Sequence, residues 1–145
     1  MSLFSSLSVS ASGMSAQRIR AELLVENLAN SETTRTPEGG PYRRKDVVFV
    51  TEEQVSPFSA IFQRELEPGV SGVAVAETLV DTREPEKRYL PGHPDADAEG
   101  YVAFPRVNPA EDMVDLMGAV RAYQGNVAAM SAVKDMILRS IDLMR

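Results

Sequence analysis

Proline divides this sequence into three parts. All nine prolines of the 145-residue chain lie between Pro37 and Pro109. Proline lacks a backbone N–H and clashes with the preceding helical turn, so long helices are favoured only before and after this region. We therefore expect an α+β protein in which long N- and C-terminal helices form a coiled-coil-like pair. We expect a small, mostly antiparallel β domain to be inserted between them.

The same division gives expected boundaries. A polar stretch follows Asn30, and Asn108 precedes the last proline-free segment, so these asparagines mark a helix end and a helix start. We expect an N-terminal helix over residues 1–30, a polar loop over 31–46, a β domain over 47–107 and a C-terminal helix over 108–145.

The C-terminal segment carries the most regular apolar pattern. Asn108 suits the N-cap, Pro109 the first helical position and Glu111 the acidic position of a capping box. Apolar or aromatic residues then recur at alternating spacings of three and four, interrupted only by Lys134. This pattern predicts a coiled-coil seam, in a helix of ~54 Å that is too long to be buried in its own chain. The seam residues are Met113, Leu116, Val120, Tyr123, Val127, Met130, Ile137, Ile141 and Met144.

A weaker seven-residue repeat occurs in the N-terminal segment. Its contribution to the predicted seam is Leu7, Met14, Leu24 and Leu28. Apolar stripes of this kind often form only the core between two helices of a monomer. Here a second apolar face at Met117, Val133 and Met136 needs a further partner, and we expect self-assembly to supply it.

The middle of the chain predicts short strands separated by turns. We expect strands over Lys45–Thr51 and Gly72–Val80, a weaker one over Ala60–Glu67, and one over Tyr101–Phe104 after a turn. Arg88–Leu90 is expected to continue the same sheet.

Composition excludes several functional classes. The chain has no cysteine and one histidine, so thiolate chemistry is absent and a histidine-based site would rest on one residue. A net charge of −6 argues against a nucleic-acid partner. The apolar runs are far shorter than the ~20 residues of a membrane-spanning helix, and no cleavable signal peptide is evident. We expect no enzymatic activity, no cofactor and no bound metal.

A calcium site is the alternative that the residues themselves suggest. Asp95, Asp97 and Glu99 occupy positions 1, 3 and 5 of an EF-hand-like loop, with Gly100 at position 6. Position 12 is Arg106 instead of glutamate, and prolines exclude a preceding helix, so a solvated acidic turn is the better interpretation. We likewise interpret His93 as a turn residue and not as a general base.

Several stretches resemble bacterial flagellar axial proteins. Asn27, Leu28, Ala29, Asn30 and Thr33 match the family's NLANxxT motif, which rod and hook relatives share. The stretches Ser12–Gln17, Thr34–Lys45, Pro91–Asp97, Gly100–Val102 and Arg121–Gln124 resemble the FlgC family of proximal rod proteins in particular. Arg106 and Gly125 depart from that pattern, where asparagine and alanine are more typical.

The resemblance implies a structural subunit of the flagellar basal-body rod. Such subunits are exported through the flagellar type III apparatus without a cleaved signal peptide. In the periplasm, their terminal helices assemble with copies and with other rod proteins into a helical drive shaft that transmits torque. Another rod or hook-related axial protein is the alternative, and the short middle domain argues against the hook.

The resemblance also suggests roles for the polar loop and its flanking motif. The amides of Asn27 and Asn30 are expected to bond either to loop backbone or to a neighbouring chain. The loop itself is a candidate contact between subunits, with a solvated loop as the simpler interpretation of its basic cluster. The candidate contact residues are Arg35, Tyr42, Arg43 and Arg44.

Overall fold

A computed structural model describes residues 3–52 and 71–143 of the chain and shows the expected α+β organisation. Two long helices at the ends enclose four strands. The elements are α1 (Leu3–Ala29), β1 (Lys45–Glu52), β2 (Gly72–Val80), β3 (Glu86–Tyr89), β4 (Tyr101–Phe104) and α2 (Pro109–Asp142). The weak strand predicted over Ala60–Glu67 and the seam residue Met144 lie outside the described residues.

The start of α2 forms as the sequence predicts. The Asn108 side chain accepts a hydrogen bond from the backbone N–H of Ala110 at 3.2 Å, and Pro109 occupies the first turn. Glu111 and Asp112 place negative charge in that turn, where the positive end of the helix dipole favours it. The first helix ends at Ala29, one residue before the expected end.

The two helices run antiparallel and approach closely. Gly13 faces the Asn126 side chain, because a Cβ added to Gly13 would lie 3.1 Å from the Asn126 amide nitrogen. Further along, Arg20 forms an ion pair with Asp115 at 3.9 Å. The small residue Ala16 is almost fully buried on α1. Small side chains such as Gly13 and Ala16 in the contact let the helix axes come near each other.

On α2, the side that packs within the chain repeats every seven residues. Asp112, Ala119 and Val133 are buried, and Asn126 lies between them opposite Gly13. Each of these four residues lies one position before a residue of the predicted heptad series. The heptad period is therefore present in the structure, but the stripe turned towards the rest of the chain is the neighbouring stripe that contains Asp112, Ala119, Asn126 and Val133.

The strands form two separate two-stranded antiparallel sheets. In the first, β1 pairs with β2 from Lys45↔Val80 to Glu52↔Gly72, with an irregularity between Val48 and Phe49. In the second, β3 pairs with β4 from Glu86↔Phe104 to Tyr89↔Tyr101.

The expectation that Arg88–Leu90 extends the first sheet is wrong. The backbone N–H of Leu90 donates to the carbonyl of Gly100 at 2.9 Å, which closes the connection between β3 and β4. Gly100 has a φ of +84°, a conformation that glycine adopts without steric cost. This local turn gives β3 a partner immediately after it in the chain.

Candidate functional site

Asn27 of the NLANxxT motif is fully buried at the end of α1 and bonds to the polar loop. Its Nδ2 donates to the carbonyl oxygen of Lys45 at 2.8 Å, and its Oδ1 accepts from the Lys45 N–H at 2.9 Å. Oδ1 also accepts from the hydroxyl of Tyr42 at 2.9 Å. One side-chain amide thus satisfies both backbone groups of the first residue of β1. The sequence analysis expected this amide to bond either to loop backbone or to a neighbouring chain. The structure shows a bond to the backbone of the same chain.

Asn30 organises the turn after α1. Its Nδ2 donates to the carbonyl of Glu26 at 2.9 Å, and its Oδ1 accepts from the hydroxyl of Thr33 at 3.2 Å. The Thr33 carbonyl then accepts from the backbone N–H of Tyr42 at 3.0 Å, which brings the two ends of the loop together. Asn30 and Thr33 of the motif are therefore parts of one local turn.

Tyr42 is enclosed between the loop and the helices and is 8% exposed. Burial, with a smaller contribution from the negative charge of Glu26, raises the pKa of Tyr42 to about 12. The phenol therefore stays protonated at physiological pH and keeps donating its hydrogen bond to Asn27. The sequence indicated Tyr42 only as a candidate contact between subunits. It did not indicate the hydrogen bond to Asn27.

Arg44 connects the same loop to α2. Its guanidinium donates to Oδ1 of Asp112 at 2.9 Å and to Asp46 at 3.0 Å. Asp112 is 1% exposed, and its second oxygen has no hydrogen-bond partner among the described residues. A buried carboxylate of this kind depends strongly on its cation. The sequence analysis did not identify Asp112 as a functional residue. Asp112 lies seven residues before the buried Ala119, and this heptad spacing was the signal that could have indicated its burial.

We call this set of residues the junction, because it fastens the loop to both helices. Its members are Asn27, Tyr42, Arg44, Lys45 and Asp112. The side chains of Tyr42 and Arg44 are thus engaged within the chain. Among the predicted loop contacts, Arg35 and Arg43 remain exposed: the Arg35 side chain is 81% accessible, and Arg43 donates to the carbonyl of Asp81 at 3.1 Å.

The side chains of the acidic turn bond to its own backbone and to the polar loop. The Asp95 carboxylate accepts from the Thr34 hydroxyl at 2.8 Å, and Oδ1 of Asp97 accepts from the N–H groups of Glu99 and Tyr101. Nδ1 of His93 accepts from the N–H of Asp95 at 3.1 Å. Within residues 3–52 and 71–143, no three acidic or histidine side chains come together in a way that suits a metal ion. These contacts are those of a structured turn.

The long helices expose many large apolar side chains. We call the exposed apolar residues of α2 and of its C-cap Leu143 the outer apolar face; it includes five of the predicted seam residues. They are Met113 (55% exposed), Val114, Met117, Val120 (43%), Tyr123, Val127 (42%), Met136, Leu138, Ile141 (52%) and Leu143. The remaining predicted seam residues within the described part are half-buried or buried: Leu7, Met14, Leu24, Leu28, Leu116, Met130 and Ile137.

An apolar surface of this extent along one helix is unusual for a monomer and typical of a surface that binds protein. Neither helix in the part of the chain that the structure describes has a segment that is both long and apolar enough to cross a membrane. The geometry therefore combines a hydrogen-bonded junction at one end of the helix pair with an extended apolar surface along it.

Comparisons with known proteins agree with this description. The family model described as "Flagellar basal body rod FlgEFG protein C-terminal" matches residues 98–143. Proteins named "Flagellar basal-body rod protein FlgC" are similar along the full chain. The Bacillus subtilis protein is 39% identical over 99% of both chains. The Borreliella burgdorferi protein is 37% identical over 100% of this chain and 99% of its own. The Salmonella typhimurium protein is 37% identical over 99% and 98%.

Proposed function

Because the chain belongs to the FlgC family of flagellar basal-body rod proteins, we propose that its outer apolar face is the surface through which it assembles into the rod. The chain is a structural component of the basal body and not an enzyme. Membership of this family also decides between the proximal rod protein and the hook-related alternative in favour of the rod.

The observation that carries the proposal is the exposure of the apolar residues on α2. Val120 and Val127 lie one heptad apart, and each is more than two-fifths exposed. Burying such side chains between subunits removes apolar area from water, which is the main favourable contribution to association. The side of α2 that packs within the chain buries Asp112, Ala119 and Val133 instead, so these exposed apolar residues remain available to neighbours.

Assembly through these helices explains a mechanical role. Subunits joined through different surfaces on each copy form closed rings or open helical arrays, and a rod is built from the open form. Long helices packed side by side resist bending and twisting, which suits a drive shaft that transmits torque. The junction fixes the loop and both helices relative to each other, and the exposed Arg35 and Arg43 are candidates for contacts with the acidic middle of a neighbouring subunit.

Two parts of the proposal concern the route and the place of assembly. We propose that the chain passes through the flagellar type III export apparatus and joins the rod in the periplasm, together with other rod proteins. The support is the family membership, because the resemblance to flagellar rod proteins implies export and assembly in the periplasm.

The experiment replaces the chromosomal gene by variants and measures swimming and the amount of chain in purified basal bodies. Val120→Asp places a charge on the outer apolar face, which would be buried without a partner in the assembly. Val80→Asp on β2 is the matched control, since Val80 is 47% exposed. We expect Val120→Asp to be absent from basal bodies and non-motile, and Val80→Asp to be incorporated. Normal incorporation of Val120→Asp would contradict the proposal.

A further inference from the structure

Three methionine side chains lie on the outer apolar face. Five of the seven methionines of the chain fall in the part that the structure describes. Met14 and Met130 are half-buried, whereas Met113, Met117 and Met136 are 55%, 53% and 48% exposed. The sequence pattern predicted that Met117 and Met136 need a further partner, and within the free subunit both side chains are accessible.

These thioethers are the groups of the chain most open to two-electron oxidation. The chain contains no cysteine and no tryptophan, so neither a thiol nor an indole competes for an oxidant. Hydrogen peroxide transfers one oxygen atom to a thioether sulfur, which becomes a sulfoxide, and the peroxide leaves as water. The sulfur loses two electrons and the peroxide gains two, so the reaction needs no other reactant.

Oxidation reverses the character of the side chain. Methionine is flexible and apolar, whereas its sulfoxide is polar and accepts hydrogen bonds. In the free subunit, the sulfoxide oxygen of an exposed residue is hydrated, so the fold tolerates it. Between two subunits that oxygen loses its water. Without a hydrogen-bond donor in its place, the association constant falls by roughly tenfold or more.

A sulfoxide at Met113 has the fewest donors near it. The neighbours of a residue on a helix surface lie three and four positions away. For Met113 these residues have no side-chain donor; they are Pro109, Ala110, Leu116 and Met117. Arg121 lies four residues after Met117, and its guanidinium is a donor. Arg139 lies three residues after Met136 in the same way. We therefore expect oxidation of Met113 to weaken assembly most.

We propose that Met113, Met117 and Met136 form an oxidation site that controls assembly. A peroxide converts them to sulfoxides in the free subunit, and the oxidised subunit fails to join the rod. Reductases that act on methionine sulfoxide reverse the change. In the rod the same side chains lie between subunits and are shielded from the oxidant. The proposal rests on the proposed function, since it describes the regulation of the outer apolar face.

The site itself is tested on the purified full-length chain. The chain is treated with limiting hydrogen peroxide, and the sulfoxide fraction at each methionine is followed by peptide mass spectrometry. We expect the three exposed methionines to oxidise faster than Met14 and Met130 by about twofold or more, in line with their greater exposure. Equal or slower oxidation of the exposed three would overturn the site.

The consequence for assembly is tested in cells that lack methionine sulfoxide reductases, so that sulfoxides persist. Expression of the wild-type chain is induced only after a sublethal dose of hydrogen peroxide is added. The sulfoxide fraction at each methionine is then compared between purified basal bodies and the soluble pool. We expect the fraction at Met113 to be about tenfold lower in basal bodies. Equal fractions would show that oxidised subunits assemble normally and would overturn the proposal.

Two leucine variants test whether these residues cause the sensitivity, because leucine has a similar volume and resists oxidation. The first combines Met113→Leu, Met117→Leu and Met136→Leu, and the matched control combines Met14→Leu with Met130→Leu. Each is expressed together with the wild-type chain, and the ratio of the two chains in basal bodies is measured with and without peroxide. Damage to other rod proteins affects both chains equally and cancels in this ratio. We expect peroxide to raise the ratio several-fold for the triple variant and to leave it unchanged for the control.

The outcomes separate this proposal from the proposed function. An unchanged ratio for the triple variant, or an equal rise for the control, overturns the oxidation site and leaves the rod assignment intact. If the triple variant does not assemble without peroxide, the sulfoxide fractions of the wild-type chain decide alone. Absence of the wild-type chain from the basal bodies of untreated cells is a different result, because it overturns the proposed function and the inference that rests on it.

Discussion

Replacing Asn27 by alanine should destabilise the fold more than any other single change in the NLANxxT motif. The change removes three hydrogen bonds from a fully buried amide, two to Lys45 and one to Tyr42. Each bond contributes about 1 kcal/mol net, and the backbone groups of Lys45 and the Tyr42 hydroxyl are left without partners at a further cost. We expect a loss of about 3–5 kcal/mol, a large fraction of the roughly 5–15 kcal/mol that stabilises a typical domain.

Urea unfolding followed by circular dichroism measures this loss. With a slope of about 2 kcal/mol/M, the transition midpoint should fall by about 1.5–2.5 M. The matched control is Asn30→Ala, which removes two hydrogen bonds within one half-buried turn and should cost about 1–2 kcal/mol. Equal shifts for the two variants would refute the reasoning, because burial and the bonds to β1 are what distinguish Asn27.

Three further predictions concern the remainder of the fold. Arg44→Ala leaves the buried Asp112 carboxylate without a cation and should cost about 3–5 kcal/mol in the same unfolding assay. Hydrogen bonds from Arg83 lower the pKa of Asp81 to about 2, below its unfolded value, so the stability that this carboxylate contributes is present at neutral pH and is lost as the pH falls from about 4 to about 2. Gly100→Ala should cost about 1–2 kcal/mol, because φ is +84° there and a Cβ would lie 2.9 Å from a tyrosine ring carbon.

Each of these predictions has a control. Adding Asp112→Asn to Arg44→Ala removes the unpaired charge and should recover part of the loss, and no recovery would contradict the proposed cause. Asp81→Asn should unfold with a smaller dependence on pH between about 4 and 2 than the wild-type chain. Gly92→Ala meets no atom within 4 Å, so a cost equal to that of Gly100→Ala would contradict the steric argument.

The sequence predicted those elements whose signals are local. The absence of proline allowed the two helices, the Asn108–Pro109 pair set the start of α2, and the alternating apolar residues of Gly72–Val80 gave a strand that the structure has with the same bounds. Each signal depends on the preferences of adjacent residues and not on distant contacts, so a single sequence is enough to show it.

Contacts between distant residues could not be predicted in the same way. Heptad spacing gave the period of α2, but it could not show that small and polar residues such as Ala119 face α1 while Val120 faces outward. The pairing of Arg44 with Asp112 joins positions 68 residues apart, and no local pattern indicates it. The choice of β4 as the partner of β3 likewise depends on the turn closed at Gly100.

The most direct test of this account is the accessibility of the outer apolar face before and after assembly. Val127→Cys introduces the only thiol of the chain, at a residue that is 42% exposed. Its rate of reaction with a maleimide is compared between the purified monomer and intact basal bodies. The account predicts rapid labelling of the monomer and strong protection in the basal body. Equal labelling in both would show that this face stays open to solvent in the rod and would contradict the central claim.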